Sequence, residues 1–111
     1  ISIDYAVMEK AAEVLVVEAP YQWDDVGSWL ALERRNPQDA DGNTVQGRHV
    51  GIDTHGCVIG VDAGRLVATI GVRDLIVIQD GDSTLVAAKK DEAAVKQLVE
   101  KMKAGGLGQF L

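Results

Sequence analysis

The fold of this protein is decided by residues 44–88, which read TVQGRHVGIDTHGCVIGVDAGRLVATIGVRDLIVIQDGDSTLVAA. Short runs rich in β-branched residues recur about every ten residues, with Gly- and Asp-containing turns between them. The predicted strands are Thr44–Gly51, Cys57–Val61, Leu66–Ile70, Leu75–Gln79 and Thr84–Ala88. This spacing indicates a small β unit, and it leaves open a meander, half of a sandwich or the coils of a β-helix.

A helix is predicted on the C-terminal side of these strands. Asp91 is the expected N-cap, and Gly105 and Gly106 are expected to end the helix. Its apolar positions are Ala94, Val95, Leu98, Val99 and Met102, which form one stripe at helical spacing. The stripe favours a helix packed on the β unit, and a dimer surface is the alternative.

On the N-terminal side, the loop residues Asp39 to Asn43 indicate a boundary between two subdomains. Before it, the sequence predicts a helix that begins after Ser2, a buried strand at Glu13–Glu18 and a short helix at Ser28–Arg34. Asn36 and Pro37 are expected to end the short helix because the residue before a proline disfavours the helical conformation.

Composition excludes several functions. The net charge of −6 argues against a nucleic-acid backbone or an anionic membrane as partner. Cys57 is the only cysteine, so no disulfide framework or cysteine-based zinc site is possible within the chain. No apolar run approaches the ~20 residues that span a bilayer, and no signal peptide is recognisable, so a cytoplasmic location is expected.

The stretch Trp23-Asp24-Asp25-Val26-Gly27-Ser28-Trp29 is the strongest candidate for chemistry. Two adjacent carboxylates before a helix act either as ligands of a divalent cation or as helix caps. The flanking tryptophans are expected to shield them from water, and Gly27 allows a ligand to approach closely. Other candidates are weaker. His49 lies in the predicted strand Thr44–Gly51 with no metal-ligand partner at suitable spacing. Asp53 and His55 fall on one face of an extended segment, but a surface turn at residues 53–56 is the favoured interpretation. Lys89 and Lys90 are expected to be solvated.

Several motifs carry a resemblance to a known family. Ser2-Ile3-Asp4-Tyr5-Ala6-Val7-Met8-Glu9-Lys10-Ala11, the acidic stretch 23–29, the loop 39–43 and residues 65–77 resemble the mannose-1-phosphate guanylyltransferases of bacteria. The resemblance implies that GTP and mannose-1-phosphate give GDP-mannose and pyrophosphate with Mg²⁺. It places the catalytic metal ligand at Asp25, gives Asp24 a variable position, and puts Asp4, Tyr5 and Glu9 beside the sugar pocket.

The resemblance also implies an α+β fragment. Residues 1–38 would end an α/β nucleotidyltransferase domain, and residues 39–111 would form a small left-handed β-helix-like domain with a C-terminal helix, used for homodimerisation. The family's glycine-rich GTP loop, its partner metal aspartate and its Glu-Lys-Pro element are expected before Ile1, so this chain alone is expected to be inactive. The alternatives are a non-catalytic β-rich oligomerisation module and a nucleotidyltransferase for another sugar-1-phosphate.

Overall fold

The computed structural model describes all 111 residues and contains six strands in two sheets. The strands are β1 (Thr44–Gln46), β2 (His49–His55), β3 (Val58–Val61), β4 (Val67–Arg73), β5 (Leu75–Asp80) and β6 (Ser83–Ala88). The four-stranded sheet has the order β1-β3-β5-β6, and the second sheet pairs β2 with β4. From β1 to β5 the chain therefore passes from one sheet to the other and back.

The strand pairing makes this arrangement a β-helix. Thr44 pairs with Val58 and Val58 pairs with Ile76, both in parallel, while His49 pairs in parallel with Val67. Each return to the same sheet thus completes one coil stacked on the last. β6 runs antiparallel to β5. Of the three β architectures that the sequence left open, the structure selects the β-helix; its predicted left-handedness stays a prediction.

Residues in the left-handed backbone region form the corners of the coil. Gly42, Gly56 and Asp74 have φ of 75°, 62° and 52°, and each lies two residues before one of the stacked residues Thr44, Val58 and Ile76. The corners are joined by hydrogen bonds from Gly56 N to Asp41 O at 3.1 Å and from Asp74 N to His55 O at 3.0 Å. Glycine and Asp tolerate this conformation, so the sharp turn recurs in register.

The central strands of the four-stranded sheet, β3 and β5, are buried on both faces. Inside the coil, Cys57, Ile59 and Val77 form one cluster; on the outer face, Val58, Ile76 and Ile78 form another. The continuous apolar run of β5 follows from this double burial, which is usual for parallel strands. The outer cluster is covered by Leu30, Leu32 and Leu85.

Three α-helices lie outside the coil: α1 (Ile3–Ala6), α2 (Leu30–Arg35) and α3 (Val95–Ala104). Short 3₁₀ helices span Met8–Lys10, Lys89–Ala94 and Gly108–Phe110. None of the helices is long and apolar enough to cross a membrane. Leu30 and Leu32 of α2 pack against the four-stranded sheet, so contacts cross the boundary predicted after residue 38, and that boundary stays a prediction.

The C-terminal helix ends as predicted but begins later. Leu107 N donates to Met102 O at 2.9 Å and Gly106 N donates to Lys103 O at 3.1 Å, with Gly106 at φ 73°. This pair of bonds is a Schellman motif, which satisfies carbonyls that the helix end leaves free. The N-cap predicted at Asp91 is wrong, because Asp91 lies within the 3₁₀ helix that precedes α3.

Two further expectations are corrected. The buried strand predicted at Glu13–Glu18 is absent: this segment has no regular structure, and Leu15 is 97% exposed. A β-branched run forms a strand only with a neighbour to pair with, and nothing in this chain pairs here. The strand predicted at Thr44–Gly51 is divided into β1 and β2 by Gly47, whose φ of 100° turns the chain between the two sheets.

Candidate functional site

The acidic stretch Trp23–Trp29 lies just before α2 and is held to that helix by Arg34. Arg34 Nη2 donates to Asp24 Oδ1 at 2.9 Å and Nε donates to Asp24 Oδ2 at 3.3 Å. The hydrogen bond from Arg34 lowers the pKa of Asp24. Asp24 is therefore an ionised partner of the guanidinium, and both of its oxygens are already engaged.

Asp25 has a different environment. Its Oδ1 accepts a hydrogen bond from Gly27 N at 2.9 Å, and its side chain is exposed. Its Oδ2 has no hydrogen-bond donor in the chain. A Cβ atom at position 27 would lie 3.0 Å from Asp25 Oδ1, so the glycine permits this close turn. Asp25 thus presents one free carboxylate oxygen to the surroundings, which Asp24 does not.

The tryptophans do not shield the carboxylates as predicted. Trp23 is 76% exposed and Trp29 is 38% exposed. Trp29 instead borders a pocket of about 560 Å³ between the acidic stretch and the segment before α3. Its lining residues are Val26, Gly27, Ser28, Trp29, Leu32, Glu92, Ala93, Val95 and Lys96. The lining is largely apolar, with Leu32 and Val95 among its members.

The described side chains do not form a metal centre by themselves. No group of three or more His, Cys, Asp or Glu side chains is arranged to hold a metal ion. Mg²⁺ commonly binds one or two carboxylates together with substrate phosphates and water. The exposed Oδ2 of Asp25 has the chemistry of one such carboxylate ligand, and the metal-binding role of Asp25 stays a prediction.

The residues predicted beside the sugar pocket are not brought to Asp25. Asp4 and Tyr5 lie on α1 and Glu9 lies on the 3₁₀ helix Met8–Lys10, and all three are exposed. No hydrogen bond or ion pair joins them to the acidic stretch. Between the two regions, residues 11–29 have no helix or strand except the turn into α2. Their roles stay predictions.

The histidines make contacts of which the sequence indicated only one, between His55 and Asp53. His49 Nε2 lies 2.8 Å from Thr69 Oγ1, on the neighbouring strand of the coil. His55 lies between two carboxylates, with Nε2 3.0 Å from Asp53 Oδ1 and Nδ1 3.4 Å from Asp41 Oδ1. Arg73 also pairs with Asp53 at 2.8 Å. The predicted turn at 53–56 is partly wrong, since β2 continues to His55.

The prediction that Lys89 is solvated is wrong. Its Nζ lies 2.8 Å from Glu33 Oε2 on α2, and its side chain is only 17% exposed. Close by, Leu30 N donates to Glu92 Oε1 at 3.0 Å. These residues are 56 and 62 positions apart in the chain. Contacts between residues so far apart in the chain cannot be predicted from a local sequence pattern.

The stacked parallel coils define a β-helix domain protein. The family model described as the MannoseP isomerase/GMP-like beta-helix domain matches residues 47–102. The chain belongs to this family.

Curated and solved proteins resemble nearly the whole chain. Mannose-1-phosphate guanylyltransferase from Klebsiella pneumoniae is 41% identical over 98% of this chain, and the protein of that name from Escherichia coli (strain K12) is 40% identical over 95%. The crystal structure of mannose-1-phosphate geranyltransferase from Thermus thermophilus matches 93% of the chain with a TM-score of 0.78 and 48% identity.

The chain spans only part of these proteins: 23% of the Klebsiella protein, 22% of the Escherichia protein and 31% of the Thermus chain. The similarity extends well beyond residues 47–102, so the acidic stretch and α2 lie within the matched region.

Proposed function

We propose that this chain is the C-terminal part of a mannose-1-phosphate guanylyltransferase, which makes GDP-mannose and pyrophosphate from GTP and mannose-1-phosphate. The observation that carries the proposal is the match of 98% of the chain to a relative of that name at 41% identity. Residues 1–38 end the nucleotidyltransferase domain, and residues 39–111 form the β-helix domain. The chain alone is inactive because the GTP-binding region lies elsewhere.

Asp25 is the residue of this chain that contributes to Mg²⁺ binding. Its free Oδ2 and its exposure support this role, and the further ligands are proposed to come from the nucleotidyltransferase region. Bound Mg²⁺ would neutralise charge on the GTP phosphates during attack by the sugar phosphate. The hydrogen bond from Gly27 N fixes the Asp25 carboxylate, so that its free oxygen is oriented before the metal binds.

Asp4, Tyr5 and Glu9 are proposed to contact the sugar phosphate. Their support is their exposure, together with the exposure of apolar neighbours such as Ile3 at 67% and Val7 at 55%. An amphipathic segment that leaves both its polar and its apolar side chains uncovered is suited to packing on another domain.

We also propose a cytoplasmic location for this protein. The free thiol of Cys57 is buried, and an unpaired cysteine suits a reducing compartment.

The test is Asp25→Asn in a protein that joins this chain to the nucleotidyltransferase region. We expect Mg²⁺-dependent pyrophosphate release to fall by about a hundredfold or more, because metal-based charge stabilisation contributes several kcal/mol to such reactions. The matched control is Asp82→Asn, an exposed change on the turn between β5 and β6. The helix-cap role that the sequence left open is wrong for Asp25, because its side chain accepts from Gly27 N before the helix begins and caps no residue of α2. If Asp25 only holds this turn, the variant loses on the order of 1 kcal/mol of stability and keeps its turnover.

A second candidate function is a β-rich oligomerisation module, which is compatible with the first. The outward face of the β2–β4 sheet carries an apolar surface formed by Val50, Ile52, Leu66, Ala68 and Ile70. Val50 is 56% exposed, Ile52 65%, Leu66 62% and Ile70 73%. A contiguous apolar surface of this kind suits a protein interface, and we propose a homodimer formed by two copies of it.

A further inference from the structure

The guanidinium of Arg34 contacts both aspartates of the acidic stretch. Besides its two bonds to the Asp24 carboxylate, Nη2 donates to the backbone oxygen of Asp25 at 3.2 Å. One planar group therefore fixes the side chain of Asp24 and the main chain of Asp25. Because the Asp25 side chain starts from that main chain, the direction of its free Oδ2 depends on Arg34.

The helix that carries Arg34 is in turn attached to the β-helix domain. Glu92 accepts from the N–H of Leu30, one of the donors that the start of a helix leaves without an internal partner. Lys89 pairs with Glu33, and Leu30 and Leu32 pack on Val58, Ile76 and Ile78. Helix α2 is thus anchored at its first residue, along its buried side and at Glu33.

We propose that Arg34 is a positioning residue that orients Asp25 for metal binding, and that Glu92 anchors the helix from which it acts. The inference rests on the proposed function, since it assigns these residues to the metal site of that reaction. Through this connection, the β-helix domain influences the acidic site as well as assembly.

The experiment compares Arg34→Gln, Arg34→Lys and the matched control Arg35→Gln. Arg35 lies on the same helix, carries the same charge and makes no hydrogen bond to the acidic stretch. The first readout is hydrogen exchange of the backbone amides of residues 23–29 in this chain. The second is Mn²⁺ binding, together with the Mg²⁺ concentration that gives half-maximal rate, in the protein that also carries the nucleotidyltransferase region.

For Arg34→Gln we expect faster exchange in residues 23–29 and metal half-saturation raised by about tenfold, the usual cost of losing a group that orients a metal ligand. KM for mannose-1-phosphate should stay unchanged. Arg34→Lys should recover part of the loss, because Lys keeps the charge without the planar fork. Glu92→Ala, which removes the acceptor of the Leu30 N–H, should speed exchange at Leu30, with Asp91→Ala as its control.

Two outcomes overturn the proposal. In the first, Arg34→Gln has the same hydrogen exchange in residues 23–29 and the same metal half-saturation as the unaltered protein. In the second, Arg35→Gln has the same effect as Arg34→Gln, which would show that the loss of one positive charge, and not a specific contact, causes the effect. If Asp25→Asn abolishes turnover while Arg34→Gln does not change metal binding, the positioning role fails and the proposed function stands. If Asp25→Asn leaves turnover intact, the metal role of Asp25 and the positioning role of Arg34 both fail, whereas the guanylyltransferase activity stands; the proposed function itself fails if the unaltered joined protein releases no pyrophosphate.

Discussion

At the scale of single residues, Asp39 and Asn43 organise the entry into the coil. Asp39 Oδ1 accepts from Asn43 N at 2.8 Å and from Asp41 N at 3.0 Å. The buried Asn43 amide donates to Thr54 O at 2.8 Å and accepts from Cys57 N at 2.9 Å. The Asx-rich sequence predicted a loop here, but it gave no sign that the loop's side chains link successive turns of the coil.

These bonds make stability depend on pH. The backbone hydrogen bond from Asn43 lowers the pKa of Asp39 below its ordinary value of 3.8. A lowered folded pKa gives a stabilisation that is present above the unfolded pKa and is lost as pH falls through the folded value. We therefore expect Asp39→Asn to be less stable than the unaltered protein at neutral pH, with the difference shrinking below about pH 4.

Urea unfolding at a series of pH values checks this expectation. The side-chain amide introduced by Asp39→Asn would also set its NH₂ group against the NH₂ group of Asn43, which replaces a 3.1 Å hydrogen bond by two facing donors. Asp82→Asn, at an exposed turn, is the control and should follow the unaltered protein. A stability difference for Asp39→Asn that stays constant from pH 7 to about pH 3 would contradict the role given to the carboxylate.

At the scale of elements, the sequence predicted most strands but not how they pair. Cys57–Val61 and Leu75–Gln79 agree closely with β3 and β5, because a buried strand needs a continuous apolar run. Val58 pairs in parallel with Ile76, a residue one full coil later in the chain. A short stretch of sequence does not include both partners, so it cannot predict their register. The false strand at Glu13–Glu18 has the same cause, since strand formation needs a partner as well as a suitable composition.

The corner at Gly56 provides a test at this scale. Gly56→Ala should destabilise the coil by more than the ~1–2 kcal/mol of left-handed backbone strain, because its Cβ would also lie 2.8 Å from Asp74 Oδ1. Gly81→Ala is the matched control, with a φ of 51° and no atom within 4 Å of the new Cβ. Equal losses in thermal or urea unfolding for the two variants would show that the stacked corner contact has no cost.

At the scale of the whole molecule, the chain combines a well-packed coil with an uncovered N-terminal third. The buried residues lie between Ala31 and Ile78, whereas Val16 and Val17 are each 87% exposed. The candidate site lies where these two parts meet. The motif predicts Asp25 as a metal ligand, and that role stays a prediction. The contacts of Arg34, Glu92 and Lys89 could not be predicted, because their partners are set by the packing of α2 on the coil.

The proposed dimer is tested at this scale. Val50→Asp should convert the dimer to a monomer, because it places a charge in the centre of the apolar β2–β4 surface. The matched control is Val86→Asp on β6, where the valine is 61% exposed against 56% for Val50. Light scattering gives the mass of each variant. Val50→Asp that remains a dimer, or Val86→Asp that alone dissociates, would place the interface elsewhere.

The complete burial of Cys57 has a practical consequence. It is the only sulfhydryl in the chain, with no exposed surface, and it packs inside the coil against Ile59 and Val77. An alkylating reagent can reach this sulfur only when the coil opens. The labelling rate of the unaltered protein therefore measures how often the β-helix opens. Cys57 is thus a built-in probe of local unfolding of the coil.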